Sequence, residues 1–289
     1  MNPPLSLILI PGFLTEPHDL AKHNQSAALN ALDPTALLDR RAWVNAVRSV
    51  CSEDVNIECF EWGSQSVIHL VSDHLLPLIS GGLGEIRSNL FGVAQELHTA
   101  WRSAREEGDT AVSRLCELIK SSSTSTPIYL LGHSLGGRMA LKAIERLSLE
   151  GFSPLPKVVA WAPAISESEL SCATLDKTPL PPEIIYSSAD IILKFIFPLG
   201  QGPRPQVGFL GGLSLISKLL QTRDERRALG LVGPPTHTKN LHTMAQDMSE
   251  QKLTHLGYLP AAEYLFKSSH YLCDLIPDYT EGQRKRLTF

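Results

Sequence analysis

Short apolar runs alternate along this chain with longer stretches whose apolar residues recur at helical spacing. Leu5-Ser6-Leu7-Ile8-Leu9-Ile10 is the first run, and it stops at Pro11-Gly12. From about Asp33 to Cys51, residues Leu37, Leu38, Trp43, Val47 and Val50 follow a helical pattern. Val55-Asn56-Ile57-Glu58-Cys59-Phe60 alternates as a strand does and runs into Glu61-Trp62-Gly63. Residues 64–125 read as mostly helical and amphipathic, too long for a single crossover, and close on the serine-rich Ser121–Ser125. Pro127-Ile128-Tyr129-Leu130-Leu131 reads as a fully buried strand, and Met139, Ala140, Ala143, Ile144 and Leu147 recur at helical spacing behind it. Val158–Trp161 and Glu183–Ser188 read as further strands, Ile191–Phe197 as a helix, Ala228–Val232 as a later strand, and Gly257–Leu275 as the last helix. Such alternation predicts an α/β fold: a mainly parallel central sheet with helices on both faces.

Composition refines this picture. Of the 289 residues, 43% are hydrophobic, which is enough for a sizeable core. No linker or internal repeat interrupts the chain, so residues 1–289 are expected to form one domain. It carries a helical insertion at 64–125 and a second at 191–227, the latter apolar and Gly-hinged, as a lid or acyl-chain wall would be; a buried helix pair completing the core is the alternative. A net charge of −4 argues against nucleic acid as the main partner, with Arg284-Lys285-Arg286 read as a solvated tail. Cys51, Cys59, Cys116, Cys172 and Cys273 are widely spaced and odd in number, which fits reduced thiols in a cytoplasmic protein. Leu5–Ile10 is too short and too poor in flanking charge for a signal peptide. The apolar segments around Leu75–Leu83 and Val207–Leu220 are broken by Gly, Pro or Ser and fall short of the ~18 residues of a membrane span. Peripheral membrane contact stays open. His69 and His74 are five apart, not on one helix face, and no spacing calls for a metal or an organic cofactor.

The candidate chemistry lies in Gly132-His133-Ser134-Leu135-Gly136-Gly137, set between the buried strand and its following helix. Strand, G-x-S-x-G, helix is the context of a nucleophile elbow, a sharp turn that lifts the serine hydroxyl above the sheet. Gly132 and Gly136 supply the small neighbours that closely passing backbones require. A serine needs a base, and the base needs an acid to orient it. On such a scaffold the order is Ser, acid, His, with catalytic groups at the carboxyl ends of parallel strands. Asp190, after the Ile184–Ser188 strand, meets both conditions, though an Asp there could equally cap the next helix; Glu167 is the rival acid. Among the later histidines, His255 is the expected base, on a loop before the last helix. His242 and His237 are the alternatives, and His270 reads as structural. His133 adjoins the nucleophile and reads as a packing residue. The oxyanion would be held by two backbone N–H groups, Leu135 and Phe13, with Leu14 as second choice for the latter.

Gly132–Gly137, Pro11-Gly12-Phe13 and the order Ser134, Asp190, His255 resemble the α/β-hydrolase superfamily across nearly the whole chain. Gly12-Phe13-Leu14, Phe60-Glu61-Trp62, Ile185–Asp190 and Leu229-Gly230-Leu231 further resemble the hydrolase domain of transmembrane-and-coiled-coil proteins. In that branch a Gly-His pair followed by an aromatic closes the site, much as His255-Leu256-Gly257-Tyr258 does here, with Thr254 standing where the branch has Gly. The branch's membrane-like segment is interrupted in this chain, so membrane residence does not carry over. The resemblance implies a serine esterase or lipase acting on an acyl ester or lipid, and no cofactor. Thioester hydrolysis or acyl transfer by the same covalent route is the related alternative, and a non-catalytic binding protein is the other class.

Overall fold

A computed structural model describes residues 5–12, 40–63, 90–122, 126–201, 227–255 and 257–277. Among the described residues six strands form one sheet: β1 (Ser6–Ile10), β2 (Asn56–Cys59), β3 (Ile128–His133), β4 (Lys157–Trp161), β5 (Glu183–Tyr186) and β6 (Gln246–Asp247). Their order is β2-β1-β3-β4-β5-β6, and every pairing is parallel. Every residue of the central strand β3 is buried. That is why it reads as an unbroken apolar run: a parallel strand covered on both faces has no solvated side. The edge strand β2 alternates between half-buried and exposed positions instead.

Eight helices accompany the sheet: α1 (Arg40–Arg48), α2 (Leu90–Ser122), α3 (Leu135–Leu149), α4 (Cys172–Asp176), α5 (Ile191–Gln201), α6 (Leu229–Val232), α7 (Lys239–Met244) and α8 (Ala262–Ser268), counted among the described residues. Neighbouring strand residues point to opposite faces, and the end of β3 shows which helices cover each. A Cβ on Gly132 would lie 2.4 Å from the Gly136 carbonyl oxygen, so α3 presses on that face. His133 points the other way, its ring 5.0 Å from Trp43 of α1. Trp161, paired in register with His133, packs on the same side against Trp43 and against Phe266 of α8. Helix α2 lies outside α3, with Gly108 against the Met139 side chain.

Three expectations need correction or extension. Ala228–Val232 is not a strand; most of it forms the short helix α6. Its backbone is claimed by loops at the strand ends: Leu229 N–H donates to the Ile165 carbonyl, Gly230 N–H to Pro163, and the Gly230 carbonyl accepts from Ser187. A Cβ at Gly230 would lie 2.3 Å from the Ala162 carbonyl carbon, so tight apposition, not pairing, selects the glycine. The sheet's sixth strand is instead the two-residue β6, too short to carry a pattern. The expected last helix is broken as well: α8 ends at Ser268, and a 3₁₀ turn covers Leu272–Leu275. Between them the Ser269 hydroxyl and the His270 amide turn inward to the buried Glu183 carboxylate. Of the insertion at 64–125, α2 accounts for most, and 64–89 lie outside the described residues. Of 191–227, α5 is described, with Ile192, Leu193 and Phe197 buried, while 202–226 lie outside. Among the described residues no helix is long and apolar enough to cross a membrane.

Candidate functional site

The chain passes from β1 to β2 on one side and places β3 on the other, so strand order reverses between β1 and β3. A crevice opens outside the carboxyl ends of strands at such a switch point. Ser134 follows β3 there and Pro11-Gly12 follows β1. Ser134 has φ 56° and ψ −119°, a left-handed conformation that non-glycine residues adopt at a cost of about 1–3 kcal/mol. Three backbone bonds hold it. Ser134 N–H donates to the Trp161 carbonyl at 2.9 Å, and the Ser134 carbonyl accepts from Arg138 and Ala164 at 3.0 Å each. The turn is tight enough that a Cβ on Gly136 would sit 1.6 Å from the Ile10 carbonyl oxygen. One on Gly12 would sit 2.6 Å from Ser134 Cβ and 3.3 Å from its Oγ. The main chain after β1 therefore passes directly beside the serine hydroxyl. Trp62, beyond β2, steadies it by donating from Nε1 to the Pro11 carbonyl at 2.9 Å.

Asp190 and His255 meet in the interior, 0% and 4% exposed. His255 Nδ1 lies 2.7 Å from Asp190 Oδ2. Asp190 Oδ1 accepts from the Leu193 amide at 2.9 Å, capping α5. The cap and the contact to His255 coexist because a carboxylate has two oxygens. His255 Nε2 and Ser134 Oγ are both buried, and neither has a hydrogen-bond partner among the described residues. Two unpaired buried polar atoms are costly unless something uses them. Leu135 occupies the first position of α3, where helix geometry leaves the amide without an intrahelical acceptor. Phe13 and Leu14, the other oxyanion candidates, lie outside the described residues.

The remaining candidates lie elsewhere. Glu167 and His237 face each other at 3.9 Å with both side chains largely exposed. His242 is exposed on α7, and His270 is exposed beyond α8. His133 does pack, but it also bonds: its Nε2 lies 3.1 Å from the His255 carbonyl oxygen. Glu169 is not among the candidates that the sequence offers. Its Oε1 takes Arg138 Nη1 at 2.7 Å and Arg105 Nη2 at 2.6 Å, and its Oε2 takes Gln201 Nε2 at 2.8 Å. Burial pushes the Glu169 carboxyl up, but Arg138 and Arg105 outweigh it and hold the group below its usual range. Ser166-x-x-Glu169 is a capping-box pattern legible in the sequence, and that box is formed. None of the five cysteines is joined in a disulfide, and burial pushes the Cys51 thiol up to about 12. Among the described residues no three His, Cys, Asp or Glu side chains gather as metal ligands would.

No family model matches the chain, and no curated protein or solved structure matches it. What stands on its own is an α/β chain with a parallel sheet and, beyond the strand ends, a strained serine and a buried His–Asp pair.

Proposed function

We propose that this chain is a serine hydrolase of the α/β-hydrolase kind, cleaving carboxylic esters through an acyl-enzyme on Ser134. The observation that carries the reading is the buried His255–Asp190 pair at 2.7 Å, with His255 Nε2 and Ser134 Oγ both unpartnered. In this reading Ser134 Oγ attacks the ester carbonyl carbon as its proton passes to His255 Nε2. The charge on the carbonyl oxygen is received by backbone amides, with Leu135 and Phe13 as donors. The carbon–oxygen bond to the alcohol then breaks and the leaving oxygen takes the proton from His255. Water, deprotonated by His255, attacks the acyl carbon and releases the acid and Ser134. Asp190 holds the imidazole with Nε2 facing the serine and offsets the charge it acquires. An apolar acyl group suits the chain next to the acid: Ile191, directly after Asp190, is a large apolar side chain left 46% exposed.

The test is fluorophosphonate labelling mapped by peptide mass, with and without mild detergent, alongside Ser134→Ala, His255→Ala and His242→Ala. Labelling confined to Ser134, lost in His255→Ala and kept in His242→Ala, is the expected result. Absence of labelling under both conditions would replace the hydrolase by a binding protein on the same scaffold.

A further inference from the structure

We infer that His133 is a positioning residue: it braces the main chain of His255 against the end of the strand that carries Ser134. The inference rests on the proposed roles of Ser134, Asp190 and His255. A carbonyl oxygen only accepts, so the 3.1 Å contact to the His255 carbonyl requires a proton on His133 Nε2. Burial drives the His133 pKa well below 6.5, and the nearby His255 pushes the same way. The ring is therefore neutral, with its one N–H committed to that carbonyl. Trp43 at 5.0 Å and Tyr258 at 5.6 Å flank the ring and fix its orientation.

The effect on His255 is geometric. Its bond to Asp190 holds Nδ1 alone, about which the imidazole could still swing as its backbone shifts. A second fixed point at the carbonyl removes that freedom and leaves Nε2 a single direction. His133 is covalently joined to Ser134, so the brace is referenced to the nucleophile: movement at the end of β3 carries both. The two imidazole rings are 4.7 Å apart, close enough that the neutral state of His133 also matters. A charged ring there would oppose the proton that His255 must accept.

H133F keeps an aromatic ring without a donor, and H133Q restores a donor near the position of Nε2. Turnover of p-nitrophenyl butyrate would be measured per fluorophosphonate-titrated site, so that misfolded protein is not counted. H133F is expected to lose about 10²-fold in kcat with KM unchanged, as small misplacements of a catalytic group do. H133Q is expected to recover most of the loss. Equal kcat per site for H133F and the native chain, or an H133Q no faster than H133F, would overturn the brace. Nitrogen-15 NMR of the histidines reads the same contact without turnover: His133 is expected as the Nε2–H tautomer, and the His255 ring proton should exchange faster in H133F. The other tautomer at His133 would refute the brace whatever the activity. The expected tautomer in a native chain that neither labels nor turns over would instead refute the hydrolase reading, and with it the positioning role.

Discussion

The two oxygens of Asp190 face different partners, Leu193 N–H at 2.9 Å and His255 Nδ1 at 2.7 Å, and substitution can separate them. Asp190→Asn retains an oxygen for the cap but can present an amide to the ring, favouring the wrong tautomer. If Ser134 is the nucleophile proposed above, activity is expected to fall on the order of 10⁴-fold, with the midpoint of urea unfolding little changed. Asp190→Ala is expected to lose activity as fully and also about 1 kcal/mol of stability from the missing cap. Equal stability of the two variants would show that Oδ1 caps nothing of consequence. At this scale the sequence points to candidates and is mute about sharing. Residue type and position single out Asp190 and His255 as a candidate pair, and the structure brings the two side chains into contact. That one carboxylate would serve both cap and histidine, or that His133 would reach the His255 carbonyl, depends on distances no spacing encodes.

Helix α3 carries Arg138 with its side chain only 1% exposed, paired to Asp109 of α2 and to Glu169 beyond β4. Removing the more buried partner leaves the Arg138 charge with only the part-exposed Asp109. Glu169→Gln is therefore expected to cost about 3 kcal/mol in urea unfolding at pH 7. Asp109→Asn, whose site is 37% exposed, should cost about 1 kcal/mol or less. The reverse ranking would mean that Arg138 is held by Asp109 instead. Asp109 is also held below its usual range: burial raises it, but hydrogen bonds from Lys142 and Arg138 lower it more. Both carboxyls thus stabilise the fold above the ordinary carboxylate pKa, and that stability is lost as pH falls through their depressed values. The strands with dense apolar runs were readable because burial on both faces leaves a strong signal. Leu229-Gly230-Leu231-Val232 misled because its apolar residues answer to three neighbouring loops, and Gln246-Asp247 is too short to announce a strand. The break at Ser269 is set from outside the segment, by a carboxylate more than 80 residues earlier in sequence.

That carboxylate, Glu183, belongs to the whole molecule. It sits at the amino end of β5, the end of the sheet away from Asp190, and is fully buried. Ser269 Oγ donates to it at 2.6 Å, the His270 amide at 3.0 Å, and the Gln246 amide completes the set, so one side chain ties β5, β6 and the C-terminal turn. Burial pushes its pKa up to about 7 despite these donors. The folded chain then holds this proton more tightly than the unfolded one. Stability from this group is full below its unfolded value and declines as pH rises toward 7, by about 3 kcal/mol in all. Glu183→Gln should remove that slope: the native chain minus variant difference in unfolding free energy falls between pH 4.5 and 7.5. A difference constant with pH would place the native pKa at its ordinary value. Gly12 has a different consequence, one for design. The space beside Ser134 Oγ is bounded by main chain from a central strand, not by a side chain that could be trimmed. Every replacement at position 12 adds atoms and none removes any, so this wall can be narrowed but not widened. Whether in the laboratory or across generations, any gain in room beside this serine has to come from positions other than 12.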